Sequence, residues 1–386
     1  MKKRILIVNN NMNIGGVQKA LIALLNVLKD HYEVTLLLFY AHGELMSEIP
    51  PEVKIVESRG LFRYLGMSQG ECKSIKDKLT RGCLATIAKT AGVKWSIRLM
   101  HLIGKHELFS GYDVAISYLH CAEPKIFYGG VAEYVLYYAN SIRKLCYIHC
   151  DYINSGTVNK YSKSVYMKFD AVVGVSNSVA NQFTAALPEM ADRTFVIHNF
   201  IDVKAIREKA EKNPYCYDRQ YINCLTVARL SAEKGVDRFI NVLGRIKSKN
   251  IRYYVVGNGR EKQRIEKMIR DKCLEDRVFL LGEQDNPYRY MVDADLLVVP
   301  SCHEAAPVVF QEARILELPV LTTNTLSARE MISNEYGIVV DNSESEMETA
   351  MNAILADPEI LDRLRNKLCQ NVYDETVDLN SILKLF

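Results

Sequence analysis

The sequence predicts an α/β protein of two doubly wound parallel sheets, and three observations carry that expectation. The first half alternates short apolar runs with helical segments, the second half repeats the alternation, and 386 residues exceed what one hydrophobic core usually supports. Parallel strands covered on both faces read as continuous apolar runs. In the first half these runs are Ile5 to Val8, Val34 to Phe39, Val53 to Val56, Val114 to Tyr118, Leu145 to Ile148, Ala171 to Val175 and Phe195 to Ile197, with a helix from about Val17 to Leu28 after the first. In the second half they are Cys224 to Val227, Tyr253 to Val256, Val278 to Leu281, Leu296 to Val299, Val320 to Thr322 and Ile338 to Val340. Two such Rossmann-like domains place ligand binding in the cleft between them, at the carboxyl ends of the strands.

The domain boundary falls after NFID, Asn199 to Asp202, where a strand ends and the charged stretch Lys204 to Lys212 begins. This divides the chain into 1–200 and 201–365. The last segment, about 366–386 and ending LNSILKLF, has more apolar residues than a free tail needs. Composition is globular, 48% hydrophobic and 25% charged, without a low-complexity tract. No apolar run reaches the ~18 residues of a membrane span. The start MKKRILIVNNN reads as a first buried strand, not a signal peptide. Ten cysteines without a CxxC pair indicate reduced thiols in a cytoplasmic protein. His149 lies between Cys146 and Cys150, but zinc spacing is absent, so no metal site is expected.

Charge is uneven. Between Arg59 and Lys105 there are ten Lys or Arg against Glu71 and Asp77, although the whole chain nets only +3. Ile87, Ala88, Ala91, Trp95, Ile97, Leu99 and Leu102 recur there at helical intervals. A basic amphipathic helix of this kind can lie on anionic lipid; it reads equally as a solvated face covering the core. Nucleic acid is a poorer candidate and is not expected as a partner, because the rest of the chain is near neutral and no recognised binding module occurs.

The most informative stretch is DADLLVVPSCHEAAPVVFQEARILELPVLTT, Asp293 to Thr323. Two apolar strands flank a helix whose first turn takes Pro307, with Glu304 upstream and Glu312 inside. A helix amino terminus attracts phosphate, so the carboxylates would sit beside and beyond a bound diphosphate. Four further segments carry candidate chemistry. In NMNIGGVQKAL, Gly15 and Gly16 open a helix and allow close backbone approach to an anion, or form a simple turn. In LTVARLSAEKGVDRFI, a strand ends at Arg229 and Lys234 precedes Gly235; a guanidinium and an ammonium suit a diphosphate, although such cations are also common on solvated surfaces. Gly257 and Gly259 in VVGNGREKQRIE join a strand to a helix, near nucleotide or simply as a tight connection. His149 in CYIHCDY ends a strand, where a neutral imidazole can bond a sugar hydroxyl or sit as a satisfied core residue.

With these segments in place, the Glu304 and Glu312 unit resembles the E-x7-E signature of retaining GT-B glycosyltransferases of family 4, and the resemblance covers nearly the whole chain, best from about Ile222 to Thr323. It implies a GT-B fold, with an acceptor-binding domain at 1–200, a nucleotide-sugar domain at 201–365 and a terminal helix that returns to the first domain. It implies that Glu304 reaches the donor sugar hydroxyls and Glu312 the ribose, that Arg229 and Lys234 clamp the diphosphate, and that His149 faces the sugar. Gly15, Gly16, Gly257, Gly259, Ala305, Pro307, Val308 and Val309 would complete the donor side. Retention would come from front-face attack with the leaving diphosphate as base, so no acid and base pair at glycosidase separation is needed. No metal or other cofactor is implied beyond the nucleotide sugar.

Two departures stand out: Ala305 and Phe200 each occupy a position where glycine is usual in that family. The implied activity is transfer of a hexose from a nucleoside diphosphate, expected to be UDP, to a saccharide or lipid-linked saccharide in surface polysaccharide synthesis. That places the protein in the cytoplasm or on the inner face of the membrane. A GT-B epimerase and a non-catalytic sugar-nucleotide-binding partner remain alternatives. A phosphorylase is disfavoured, because no lysine context for pyridoxal phosphate occurs.

Overall fold

In a computed structural model, residues 2–104, 107–121, 124–332, 336–370 and 376–386 are described, with the backbone alone for 376–380. They form two compact units, one of 1–200 with 375–386 and the other of 201–374. In the first, β1 (Arg4–Asn9), β2 (Glu33–Leu38), β3 (Lys54–Glu57), β4 (Phe109–Ser117), β5 (Ala139–Ile148), β6 (Ala171–Gly174) and β7 (Thr194–Val196) pair in the order β3-β2-β1-β4-β5-β6-β7. In the second, β8 (Ile222–Val227), β9 (Ile251–Val256), β10 (Val278–Gly282), β11 (Leu296–Val299), β12 (Val320–Thr323) and β13 (Gly337–Val340) pair in the order β10-β9-β8-β11-β12-β13. All of the pairings are parallel.

Each apolar run named from the sequence is a strand. The largest differences are at the starts of β4 and β5, which pair from Phe109 and Ala139, well before the apolar runs begin. Backbone pairing there continues past the part of the sheet that is covered, so polar Ser110 and Asn140 join the ladder without an apolar signal.

Why these runs become buried strands is clearest in β11. Leu296 and Val298 pack with Phe239, Leu243, Tyr253 and Met351, whereas Leu297 and Val299 pack with Tyr254, Phe310 and Leu318. Side chains alternate faces along a strand, so a run of four apolar residues serves two cores at once. Helix Val236–Arg245 supplies Val236, Phe239, Ile240 and Leu243, spaced for a single buried helix face.

Three segments show local detail that the sequence left open. The charged stretch after the boundary is helix Val203–Glu211, capped by Asp202, whose side chain accepts from the Ala205 N–H at 2.8 Å. The basic segment is not one helix: after the four-residue Arg63–Gly66 come Ile75–Ala91 and Val93–Ile103, broken at Gly92, where φ is +105°. Lys105, counted in that segment, lies outside the described residues. At the carboxyl end, 371–375 of the expected segment also lie outside them, and helix Thr376–Leu385 follows. In the first unit Arg143 donates to the Leu385 carbonyl at 2.6 Å and Lys3 to the Phe386 backbone oxygen at 2.6 Å, with Ile382, Leu385 and Phe386 buried.

Phe239 is fully buried and meets Tyr253 edge-on at 4.8 Å. Phe239→Ala is expected to destabilise the second unit by about 3–5 kcal/mol. The urea midpoint of that unit's unfolding transition measures it, and an unchanged midpoint would contradict the packing described.

Candidate functional site

Within the second unit the strand order changes direction between β8 and β11, which makes their carboxyl ends the natural ligand position in an open parallel sheet. Two loops meet there. The loop after β8 runs through a short 3-10 turn, Ala232–Lys234, to Gly235. Gly235 has φ +63°, and a Cβ on it would lie 2.1 Å from the Pro300 carbonyl oxygen. Only glycine permits that approach. The Cys302 N–H donates to the Glu233 carbonyl at 2.8 Å and ties the second loop to the first.

This contact brings Lys234 to Glu304. Their Nζ and Oε1 atoms are 2.6 Å apart, and the Ser301 hydroxyl donates to the same oxygen at 2.8 Å. Ser301 is itself held by Thr323, which donates to its carbonyl at 2.5 Å. Arg238 bridges the rear of the loop, donating to the Pro300 carbonyl at 3.0 Å and to Asn342 Oδ1 at 2.8 Å. Burial alone would raise the Glu233 carboxyl, but bonds from Ser231 and the backbone, with the Lys234 and Arg229 charges, outweigh it and hold the group below its ordinary value. Arg229 is exposed, two residues beyond the end of β8.

Helix Val308–Ile315 starts one residue later than the sequence indicates. Pro307 is its extended N-cap, not a residue of its first turn, and no side chain caps the free N–H groups. Ala305 and Val308 are buried, while Pro307 and Val309 are half-buried at the helix start. Glu312 is 3% exposed and accepts a 2.9 Å bond from the Tyr288 hydroxyl. Gly257 and Gly259 are explained by packing between loops: a Cβ on each would lie 1.9 Å from the Ala228 oxygen and 2.2 Å from the Leu230 oxygen. Ser301 and Tyr288 were not singled out from the sequence. Nothing in a string of residues links Tyr288 to Glu312; for Ser301, its place directly after Pro300 at the end of β11 was the available signal.

Gly15, Gly16 and His149 belong to the first unit. Gly15 is the extended N-cap of helix Gly16–Leu28, and a Cβ there would lie 2.6 Å from Gln18 Oε1. His149 follows β5 directly, and His120, outside the motifs named from the sequence, comes shortly after β4 at the same edge of the sheet. The equivalent strand-end position was the available signal. Buried nitrogens of both rings, His120 Nδ1 and His149 Nε2, have no hydrogen-bond partner among the described residues. Tyr118 and Tyr147 lie 4.8 and 5.7 Å from the His149 ring. Burial lowers both imidazoles, His120 to about 4 and His149 to about 3, with His120 a second cause for His149. Both rings are therefore neutral at physiological pH, able to donate and accept. No group of three or more His, Cys, Asp or Glu among the described residues is placed to hold a metal ion.

Because folded imidazoles with depressed values resist protonation that the unfolded chain accepts below about pH 6.5, their stabilising effect is full above that pH and is lost as pH falls toward 4 and 3. Glu133, raised by burial, works in the opposite sense, favouring the fold at low pH and losing that contribution as pH rises. His120→Asn with His149→Gln is expected to flatten the acid limb of the first unit's stability curve. Melting temperatures from pH 4 to 7 measure it, and an identical slope in the double variant would contradict the assignment.

Residues 209–373 match the family model described as glycosyl transferases group 1. An α-N-acetylgalactosaminyltransferase of Campylobacter jejuni, named for an undecaprenol-diphosphate-linked substrate, is 27% identical over 214 residues, which are 54% of this chain and 58% of that protein. An O-antigen biosynthesis glycosyltransferase of Escherichia coli is 29% identical over 168 residues, 42% of this chain and 45% of that protein. The chain thus spans about half the length of the curated relatives it matches. Among solved structures, Anabaena HepE in complex with UDP-glucose aligns with TM-score 0.69 and 18% identity over 99% of this chain and 100% of that one. TarM aligns with TM-score 0.68 and 16% identity over 100% and 99%. Residues 209–373, which hold both glutamates and the loop from Arg229 to Lys234, match the glycosyl transferases group 1 family, in a chain with the GT-B fold of two Rossmann-like units.

Proposed function

We propose that the protein is a retaining glycosyltransferase that moves a hexose from UDP to a saccharide or lipid-linked saccharide during surface polysaccharide assembly, at the cytoplasmic side of the membrane. The observation that carries this reading is the Lys234–Glu304 pair at the point where the strand order reverses, beside the uncapped start of helix Val308–Ile315. The names of the Campylobacter and Escherichia relatives and the UDP-glucose bound to HepE support the choice of donor and acceptor classes.

In this reading the unit 201–374 holds the donor and the unit 1–200 the acceptor. Lys234 and Arg229 meet the diphosphate, whose charge grows as the sugar leaves, and the N–H groups before Phe310 add partial positive charge. When the ammonium turns to phosphate, Glu304 is released to take sugar hydroxyls. Gly257 and Gly259 line the nucleotide, Ala305 and Val309 border the sugar, and Glu312, steadied by Tyr288, accepts from the ribose. Neutral His149 bonds the sugar without competing as a cation. The acceptor hydroxyl attacks on the face the diphosphate leaves, and a diphosphate oxygen takes its proton. No step requires a metal.

A panel of nucleotide sugars tests the reading, with free nucleotide as the readout. One donor is expected to release nucleotide slowly alone and faster with an oligosaccharide acceptor. Conversion of the sugar without nucleotide release would mean an epimerase, and a raised melting temperature without turnover a binding partner. Glu304→Ala and Lys234→Ala are each expected to lower kcat by about a hundredfold or more with melting temperatures retained. Wild-type turnover in either variant would sink the site assignment.

A further inference from the structure

We infer that helices Ile75–Ala91 and Val93–Ile103 form a docking face for an anionic lipid bilayer. The two helices are joined at Gly92 and bound together by Ser96, whose hydroxyl donates to the Leu84 carbonyl at 2.6 Å. Each has one face in the core of the first unit: Leu84 and Ala88 on one, Val93, Ser96, Ile97 and Met100 on the other. Their opposite faces remain apolar where solvent would demand polar groups. Trp95, Leu102 and Ile103 are 47%, 78% and 64% exposed, and with Leu99 they recur at the spacing of one helix stripe. Ile75 and Leu79, one turn apart, are 78% and 70% exposed. Large apolar residues clustered in this way mark an interaction surface more than an ordinary solvated face.

Charge names the occupant. Lys76, Lys78, Lys89, Lys94 and Arg98 are exposed on these helices, while the one acid, Asp77, is engaged by the Ser74 and Tyr64 hydroxyls at 2.7 and 2.6 Å. The chain nets only +3, so its positive excess is concentrated here. The Arg98 guanidinium lies 4.9 Å from the Trp95 ring centre and Lys94 Nζ lies 5.8 Å away, which puts cations at the border of the apolar stripe. Apolar side chains bordered by cations suit the boundary between acyl chains and anionic headgroups. A second copy of this chain would set the same cations against one another, and nucleic acid would leave Ile75, Leu102 and Ile103 without apolar cover. None of the described helices is long and apolar enough to cross a membrane, so the contact is superficial.

Trp95 is the only tryptophan of the chain, and its emission reports the contact directly. The full-length protein is mixed at low salt with vesicles of phosphatidylcholine alone or phosphatidylcholine with phosphatidylglycerol, and sedimented. Co-sedimentation and a blue shift are expected with the anionic vesicles only, both lost at molar salt, where the Debye length is about 3 Å. Leu102→Ser with Ile103→Ser, and separately Lys94→Gln with Arg98→Gln, should each lower the partition coefficient about tenfold or more. All four positions are exposed, so unchanged melting temperatures are expected. Absence of binding at low salt, equal binding to neutral vesicles, wild-type partitioning in both double variants, or a dimer that shields Trp95 from quencher and ignores vesicles would each overturn the inference.

Discussion

At Gly235 the backbone turns against the Pro300 carbonyl at a distance that leaves no room for a side chain, and the rest of the candidate site depends on that approach. It lets the loop after β8 meet the loop after β11, which the Cys302–Glu233 backbone bond then holds in place. Lys234 follows from the turn and Glu304 from the loop, so their 2.6 Å pairing results from two backbones packed together more than from attraction between two long side chains. A partly exposed ion pair by itself contributes little, since solvent screens it and ordering two side chains costs entropy. Its position matters more than its strength. A pair that contributes little net stability can be opened cheaply by a phosphate, which would leave Glu304 free while Ser301 keeps it oriented.

Burial does different work in the two units. Around Glu312 it is compensated: a carboxylate 3% exposed has the Tyr288 hydroxyl as a donor, which stiffens it at the base of helix Val308–Ile315. Around His120 and His149 it is not compensated among the described residues, and the cost is met by keeping the rings neutral. Unpartnered buried nitrogens at the carboxyl edge of a parallel sheet are groups that a hydroxyl-rich ligand could satisfy. Burial, with His120 as a second cause, makes His149 better suited to hydrogen bonding than to carrying charge.

The basic segment shows how one stretch can meet two demands. Ala88 and Ile97, counted with Trp95 and Leu102 as a single apolar pattern, belong to the buried side, whereas Trp95 and Leu102 point away from it. Core packing and a solvated outer face therefore do not compete for the same residues. The break at Gly92 makes this possible, because two shorter helices can each present an inner and an outer stripe where one long helix would drift out of register.

The strands were legible in the amino-acid sequence because covering both faces of a parallel sheet forces continuous apolar runs, as in Leu296 to Val299, and because glycines mark turns that other residues cannot make. Strand order, the switch between β8 and β11, and the pairing of Lys234 with Glu304 were settled only in three dimensions, since residues seventy positions apart meet through backbone contacts that leave no periodic trace. The same holds for Tyr288 with Glu312 and for His120 beside His149. Sequence pattern records which side chains must leave water, a property of each residue and its near neighbours. Which of them then touch depends on how whole strands and loops are ordered, and that only the tertiary structure decided.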